Sequence, residues 1–477
     1  MSFSGKNYFS GNIVGITIGI ILVVIAFTNY KHSYYNNSER VIEWDVKSYY
    51  AYLPVFFIYH DPMLKFRDED PEKFGNLIWP IYLETGKPTM VYSIGMSVLY
   101  SPFFFAAHAV ALLTDYEADG YSTPYRFALT FSAFFYLWIG LIFLTRILRK
   151  YFKDKIISIV LFVLVFGTNM YYYSTYEAPM THIGNFAMIT AFIWLTIRFY
   201  EKPSLKAIIL PGLLAGLIVL VRPSNIIVLV LFFLWDIKSF NEFKNRILFF
   251  LNRSHWVALM AFLFILVWVP QFVYWHWVSG KIFFNAYTLR NETFSFDNPQ
   301  IFNILFSYRK GWLIYTPLMI LSIAGIFLLP RRIPGLLFSL VLFSVLNIYI
   351  LSSWWSWWYG GSFGLRSFID SYGLMAIPLA CLTEFVLQKK KLFKYAYLTL
   401  IILILSLNQF QTWQYKNGLI HFDAMNKATY WEIFLRTHGT ERYWNILEES
   451  KAEYLKTDTE NAEKTRMKRE AKNNAKI

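Results

Sequence analysis

Apolar runs long enough to cross a bilayer recur along this chain, and no other feature limits its fold so strictly. A helix covering about 30 Å of hydrocarbon needs about 17 to 25 mostly apolar residues, and in lipid every backbone polar group must be paired inside the structure. Such runs lie near 12–28, 125–147, 156–172, 181–199, 206–221, 224–237, 254–275, 312–330, 334–351, 369–387 and 395–411. They predict an all-α polytopic membrane protein with about eleven transmembrane helices. A further apolar stretch, 90–113, is interrupted by Ser101-Pro102, and proline removes a helix hydrogen bond. It either spans or lies along the interface; the split, and the acids Asp115, Glu117 and Asp119 that follow, favour the second.

Composition agrees with that class. Hydrophobic residues are 56% of the 477 and charged residues 16%, against roughly 25% charged in soluble domains, which excludes a soluble enzyme. One cysteine excludes a disulfide framework and a Cys-rich metal site. The net charge of +14, 45 basic less 31 acidic residues, comes from clusters between the runs. These are Arg146 to Lys155, Arg198 to Lys206, Lys238 to Arg253, Arg331 with Arg332, and Lys389 to Lys394. They alternate with loops poor in Lys and Arg, the pattern of cytoplasmic loops beside anionic lipid and not of a nucleic-acid binder.

With the N-terminus inside, residues 29–124 form one long first external loop if 90–113 does not cross. If it does cross, parity puts the N-terminus outside and Asp45 in the cytoplasm, and the lone Lys6 ahead of the first run decides nothing. The first run reads as a retained anchor, since no A-x-A-like cleavage site follows it. Residues 412–477 form a polar C-terminal tail, helical or disordered, with mixed charges from Lys451 onward. No nucleotide-binding glycine motif is present.

The first external loop is richest in chemistry. In V-I-E-W-D-V-K-S-Y-Y-A-Y-L-P, Glu43 and Asp45 stand beside Tyr49 and Tyr50, a mixture suited to a polar substrate at the water–lipid boundary. A carboxylate there can take a proton from a hydroxyl or bind a divalent cation; a solvated acid beside an interfacial aromatic belt is the plainer reading. Glu84 and Lys87 follow in L-E-T-G-K-P-T-M, where the lysine either meets a lipid phosphate or snorkels. Glu177 and His182, five apart in an external loop, either share a metal or proton or are two interfacial polar residues. Basic residues outside break the charge rule: Arg222 in L-V-R-P-S-N, Arg309 and Lys310 in S-Y-R-K-G-W, and Arg366 in W-Y-G-G-S-F-G-L-R. Guanidinium forks match phosphate oxygens, and Arg366 is the preferred phosphate clamp. Trp358 and its neighbouring tryptophans either stack on sugar or mark the headgroup level.

The order of these features resembles the GT-C superfamily of integral-membrane glycosyltransferases, which includes protein mannosyltransferases and the aminoarabinose transferase acting on lipid A. The resemblance runs from the first apolar run to about Arg366 and is carried by D-V-K-S-Y-Y-A-Y-L-P, F-G-T-N-M-Y-Y-Y, L-V-R-P-S-N, R-K-G-W-L-I-Y-T-P and W-Y-G-G-S-F-G-L-R. It looks like an uncharacterised bacterial branch of that superfamily. It implies a GT-C-like bundle over residues 1–411 with interfacial helices in the first external loop, and sugar donors carried on polyprenyl phosphate. Asp45 matches the first-loop acid, Glu177 occupies the place of a second-loop acid, and Glu84 with Lys87 looks like the entrance to an interfacial helix. Two departures stand out: the entrance reads K-P-T in place of a double proline, and there is no external globular domain of the oligosaccharyltransferase type.

The sequence therefore predicts a glycosyltransferase in a bacterial inner membrane with its site facing the periplasm. A sugar leaves a polyprenyl-phosphate donor with inversion; Asp45, Glu43 and Glu177 are the catalytic candidates. Lys87, Glu84, His182, Arg222, Arg309, Lys310, Arg366, Tyr49, Tyr50 and Trp358 bind substrate, and Asp45, Glu177 and His182 are the candidates for a divalent metal ion. The competing readings are a multi-pass transporter or lipid flippase, and a metal-independent glycan ligase.

Overall fold

A computed structural model describes residues 12–290 and 292–474; Lys6 and the last residues of the charged C-terminal run, 475–477, lie outside them. The helices that carry the argument are α1 (Asn12–His32), α2 (Asp45–Tyr50), α3 (Gly95–Leu112), α4 (Thr123–Leu148), α5 (Asp154–Phe166), α6 (Thr181–Glu201), α7 (Lys206–Val221) and α8 (Val228–Leu234). They continue with α9 (Phe240–Leu251), α10 (Ser254–Ser279), α11 (Leu318–Ile326), α12 (Pro334–Ser352), α13 (Tyr372–Leu387), α14 (Lys391–Lys416) and α15 (Glu441–Asn474). The only sheet among the described residues is the two-stranded hairpin Ile81–Tyr82 with Pro88–Thr89. The protein is an all-α polytopic membrane protein.

Among the described residues eight helices are long and apolar enough to cross a membrane. Four of the eleven predicted runs are shorter or broken. Run 156–172 is α5 followed by Met170–Thr175, and 206–221 is the 16-residue α7. Run 224–237 is a 3₁₀ turn, Pro223–Ile227, leading into α8. Run 312–330 splits into Trp312–Tyr315, α11 and Leu329–Arg332, with Pro317 and Pro330 at the starts of new pieces, where proline's fixed φ is tolerated.

The predicted split at Ser101-Pro102 does not occur: α3 continues through Pro102. The carbonyl of Val98, which loses its usual N–H partner to the proline, accepts the Ser101 hydroxyl at 2.8 Å instead. The two ends of α3 pack on different neighbours. At its start, Ile94 N–H donates to Gln271 at 2.8 Å, and Gly95 rests on the end of α7 so closely that a Cβ would come within 2.5 Å of the Val221 nitrogen. Beyond its end, Lys73 pairs with Asp119 at 3.1 Å and the Tyr59 hydroxyl donates to the Asp119 carbonyl at 2.9 Å, both partners lying in the first loop.

The basic loops are tied to one another. Lys150 pairs with Glu201, Arg332 with Glu384 at 2.8 Å and with the Tyr151 carbonyl, and Gly335 packs directly on Asp236. These contacts link the segments around 150, 201, 236, 332 and 384 into one layer. The basic connections of these segments thus gather at one end of the bundle.

Candidate active site

Asp45 begins α2 directly after Trp44, whose backbone sits at φ 48°, ψ −127°, a region costly for a residue with a Cβ. The carboxylate is satisfied from two sides. Tyr92 donates its hydroxyl to Oδ1 at 2.8 Å, and Arg366 donates Nη2 to Oδ2 at 3.1 Å across 321 residues of sequence. Side-chain exposures of 25% for Asp45 and 13% for Arg366 leave this pair reachable from solvent yet largely dry. In such a setting a charge-assisted contact is stronger than at an open surface. Tyr49 packs its ring 4.6 Å from Tyr92, and Tyr287 meets Tyr92 edge-on at 5.5 Å. Glu292 adjoins this group: burial raises its pKa, the Arg290 charge opposes the rise, and the negative charge of Asp45 adds to it.

Arg366 opens a 3₁₀ turn, Arg366–Ser371, that leads into α13. Four residues on, the buried Asp370 collects donors from two other segments. His182 Nδ1 and Asn185 Nδ2, from the first turns of α6, each lie 3.1 Å from it. Arg222 Nη1 at 3.2 Å and Asn225 Nδ2 at 3.0 Å come from the turn between α7 and α8. Buried charge persists only when paired and hydrogen-bonded, and Asp370 meets both conditions. The hub fixes the ends of α6, α7 and α13 against one another, and thereby the turn that carries Arg366.

No protein-family model and no curated protein matches the sequence. Solved structures do. Archaeal oligosaccharyltransferase AglB from Archaeoglobus fulgidus, in complex with an inhibitory peptide and a dolichol-phosphate, is similar at TM-score 0.51 and 13% identity, over 92% of this chain and 60% of that one. The apo form of the Archaeoglobus fulgidus oligosaccharyltransferase is similar at TM-score 0.49 and 14% identity, over 93% of this chain and 60% of that one. This chain has the GT-C fold. It spans about 60% of the length of the two archaeal chains.

Within the GT-C bundle the other predicted residues fall into separate places. Glu177 accepts the Tyr172 hydroxyl at 3.0 Å; burial raises its pKa while the Arg366 charge opposes the rise. It does not share a ligand with His182, which is committed to Asp370. Asp45, Glu177 and His182 form no common cluster, and no group of three acidic, His or Cys side chains suited to a metal occurs among the described residues. With both Asp45 oxygens hydrogen-bonded, this set does not match the oxygen cage that a Mg²⁺ or Ca²⁺ site requires.

Glu43 lies 3.8 Å from Arg40 and is raised in pKa by burial. Tyr50 is buried, with its hydroxyl on the Gly120 carbonyl. Glu84 is exposed in the hairpin turn. Lys87 donates to the Trp277 carbonyl at 2.7 Å and lies 4.9 Å from that residue's ring, clamping the hairpin to the end of α10.

Arg222, predicted to bind substrate, pairs through one N–H with Asp370 at 3.2 Å. Arg309 and Lys310 are committed inside the protein. Arg309 is 2% exposed, lies 3.8 Å from the Trp358 ring and 4.2 Å from that of Tyr454, and pairs with Asp423 at 3.2 Å and Asp458 at 2.7 Å. Lys310 donates to the carbonyls of Ser362 and Phe422, and burial pulls its pKa down to about 7. Asp458 lies in α15, so the C-terminal segment packs onto the turn at 309–310 and the tryptophan-rich loop.

Sequence reasoning missed Asp370, Tyr92, Tyr287 and Glu292. For Asp370 a signal existed: an acid at the head of an apolar run needs a partner, and that rule points to a cation elsewhere. For Tyr92 and Tyr287, two of 34 tyrosines, no local signal distinguishes them.

Proposed function

We propose that this protein is a membrane glycosyltransferase that moves a sugar from a polyprenyl-phosphate donor to an acceptor hydroxyl, with inversion. The carrying observation is the meeting of Asp45 and Arg366, an acid and a guanidinium within 3.1 Å of one another in a largely dry, reachable place. Asp45 takes the acceptor proton as the hydroxyl oxygen attacks the anomeric carbon; the bond from that carbon to the phosphate oxygen breaks, and the departing lipid phosphate is held by Arg366. A phosphate at Arg366 competes with Asp45 for the guanidinium and so loosens the carboxylate that must act as base. Tyr92 keeps Asp45 aimed through its hydrogen bond. Tyr49, Glu292 and Glu177 shape the substrate side of the site.

Two further observations support this reading. The archaeal neighbour of the same fold was solved with a dolichol-phosphate, a lipid phosphate of the proposed kind. The basic loops gather on the side opposite Asp45, and the positive-inside rule then turns the site to the outer face of a bacterial inner membrane.

Transfer of radiolabelled sugar from polyprenyl phosphate in isolated membranes tests the proposal. Asp45→Asn keeps the size of the side chain but only one acceptor oxygen, so it gives up the hydrogen bond from Tyr92 or from Arg366; it should lower turnover by about 10²- to 10⁴-fold with a modest fall in melting temperature. Wild-type turnover in Asp45→Asn would remove the general base. If Arg366→Gln then still abolished transfer, a ligase using arginine alone would replace the present reading.

A further inference from the structure

On the side of the basic loops, far from Asp45, α9 forms a short amphipathic helix. Ser239 caps it by accepting the Glu242 N–H at 3.2 Å, and the Lys238 N–H donates to the Glu242 carboxylate at 2.7 Å. Phe240, Phe243, Ile247, Phe250 and Leu251 fall on one face by their spacing of three and four, while Asn241, Glu242 and Asn245 fall on the other. The apolar face is not absorbed by the bundle: Phe240 is 69% and Leu251 64% exposed. A polar back, an apolar front and flanking cations are the features of a helix lying in the membrane interface.

Beneath this helix is a cavity of about 420 Å³, within the range of about 300–1,000 Å³ usual for small-ligand sites. Phe233 from α8, Phe243, Ile247 and Phe250 from α9, and Val257 from α10 give it apolar walls, and Arg246 is the one charged side chain in its lining. Arg246 lies 3.9 Å from the Tyr200 ring and donates Nη1 to the Phe233 carbonyl at 3.2 Å. Lys244 and Arg253, outside that lining, lie over the rings of Phe240 at 4.9 Å and Phe249 at 4.4 Å. The local acids are engaged elsewhere, Asp236 with Lys238 at 3.6 Å and Glu242 at the helix cap. Among the described residues Arg246 has no carboxylate partner, and it stands in the wall of a greasy slot.

We propose that this slot is a binding site for an anionic phospholipid, one acyl chain lying between α8, α9 and α10 and the phosphodiester resting on Arg246. Charge complementarity selects the headgroup, since a guanidinium preheld on an aromatic ring offers its remaining N–H groups to phosphate oxygens. The apolar walls select a chain-bearing ligand over a free anion. The site is independent of the sugar-transfer reading, because it shares no residue with Asp45, Arg366 or their partners.

Native mass spectrometry of the full chain, delipidated in detergent and titrated with phosphatidylglycerol or phosphatidylcholine, reads this directly. Wild type should retain one phosphatidylglycerol with about tenfold preference over phosphatidylcholine, and Arg246→Gln should reduce that preference to under about twofold. Arg246→Lys, which keeps the charge, should restore part of it. Ile247→Trp, at a residue 46% exposed and therefore tolerant of size, should block the slot and lose the bound lipid without lowering the melting temperature. Equal retention of the two lipids by wild type, or unchanged preference in Arg246→Gln, overturns the proposal. Displacement of the lipid by millimolar inorganic phosphate alone also overturns it, since the chain would then contribute nothing.

Discussion

Removing the carboxylate of Asp370 should unfasten the end of the bundle that holds Arg366. Asp370 is 4% exposed and accepts hydrogen bonds from four side chains, with Arg222 providing its positive partner. In Asp370→Ala the Arg222 guanidinium, whose side chain is only 16% exposed, keeps its burial and loses its counter-charge. Breaking one side of a buried ion pair costs about 3–5 kcal/mol, a large part of the roughly 5–15 kcal/mol that holds a native protein together. The hydrogen bonds lost by His182, Asn185 and Asn225 belong to the same network and are not to be added to that sum. Asp370→Asn retains one acceptor oxygen and the side-chain shape, so it should fall between the two. The measurement is denaturant unfolding of the protein in a mild detergent, run as a double-mutant cycle with Arg222→Gln. A coupling of about 1–3 kcal/mol is expected, since the two residues touch. A coupling below about 0.5 kcal/mol, or an Asp370→Ala variant within about 1 kcal/mol of wild type, would refute the argument that this carboxylate holds the helix ends together.

Three further outcomes follow from particular contacts. Asp458→Ala leaves Arg309 with Asp423 alone and should destabilise the fold by about 1–3 kcal/mol without changing lipid-phosphate affinity, as read by thermal melting beside donor binding. A large loss of donor binding would return Arg309 to the substrate site. Burial brings the Lys310 pKa to about 7, so between about pH 7 and its unfolded value near 10.5 the unfolded chain binds the extra proton. Stability should therefore rise with pH across that window, the full penalty lying below about pH 7, and Lys310→Met should flatten that part of a melting-temperature profile. A Cβ at position 95 would stand 2.5 Å from the Val221 nitrogen, so Gly95→Ala should cost about 1–3 kcal/mol by overpacking; a neutral result in thermal unfolding would show that α3 and the end of α7 can separate freely.

Much of the membrane architecture was legible because its signals are local. A run of apolar residues is sufficient to call for a helix in lipid, and a cluster such as Lys389 to Lys394 is sufficient to mark a loop. The fate of Pro102 was not legible, since it depended on whether a hydroxyl stood ready to take the Val98 carbonyl. Arg222, Arg309 and Arg366 show the same limit at the site. Each is an arginine in a loop with few other cations, and the sequence offers no means of telling a ligand-facing guanidinium from one spent on an internal carboxylate. Their partners, Asp370, Asp458 and Asp45, lie 148, 149 and 321 residues away.

The sequence alone determined that the chain crosses lipid repeatedly, that its positive loops alternate, and that acids and arginines collect in the remaining loops. Tertiary structure alone decided which acid meets which arginine. The physical reason is that the hydrophobic requirement acts on each segment by itself, whereas an ion pair is a property of two loops whose separation is set by how all the intervening helices pack.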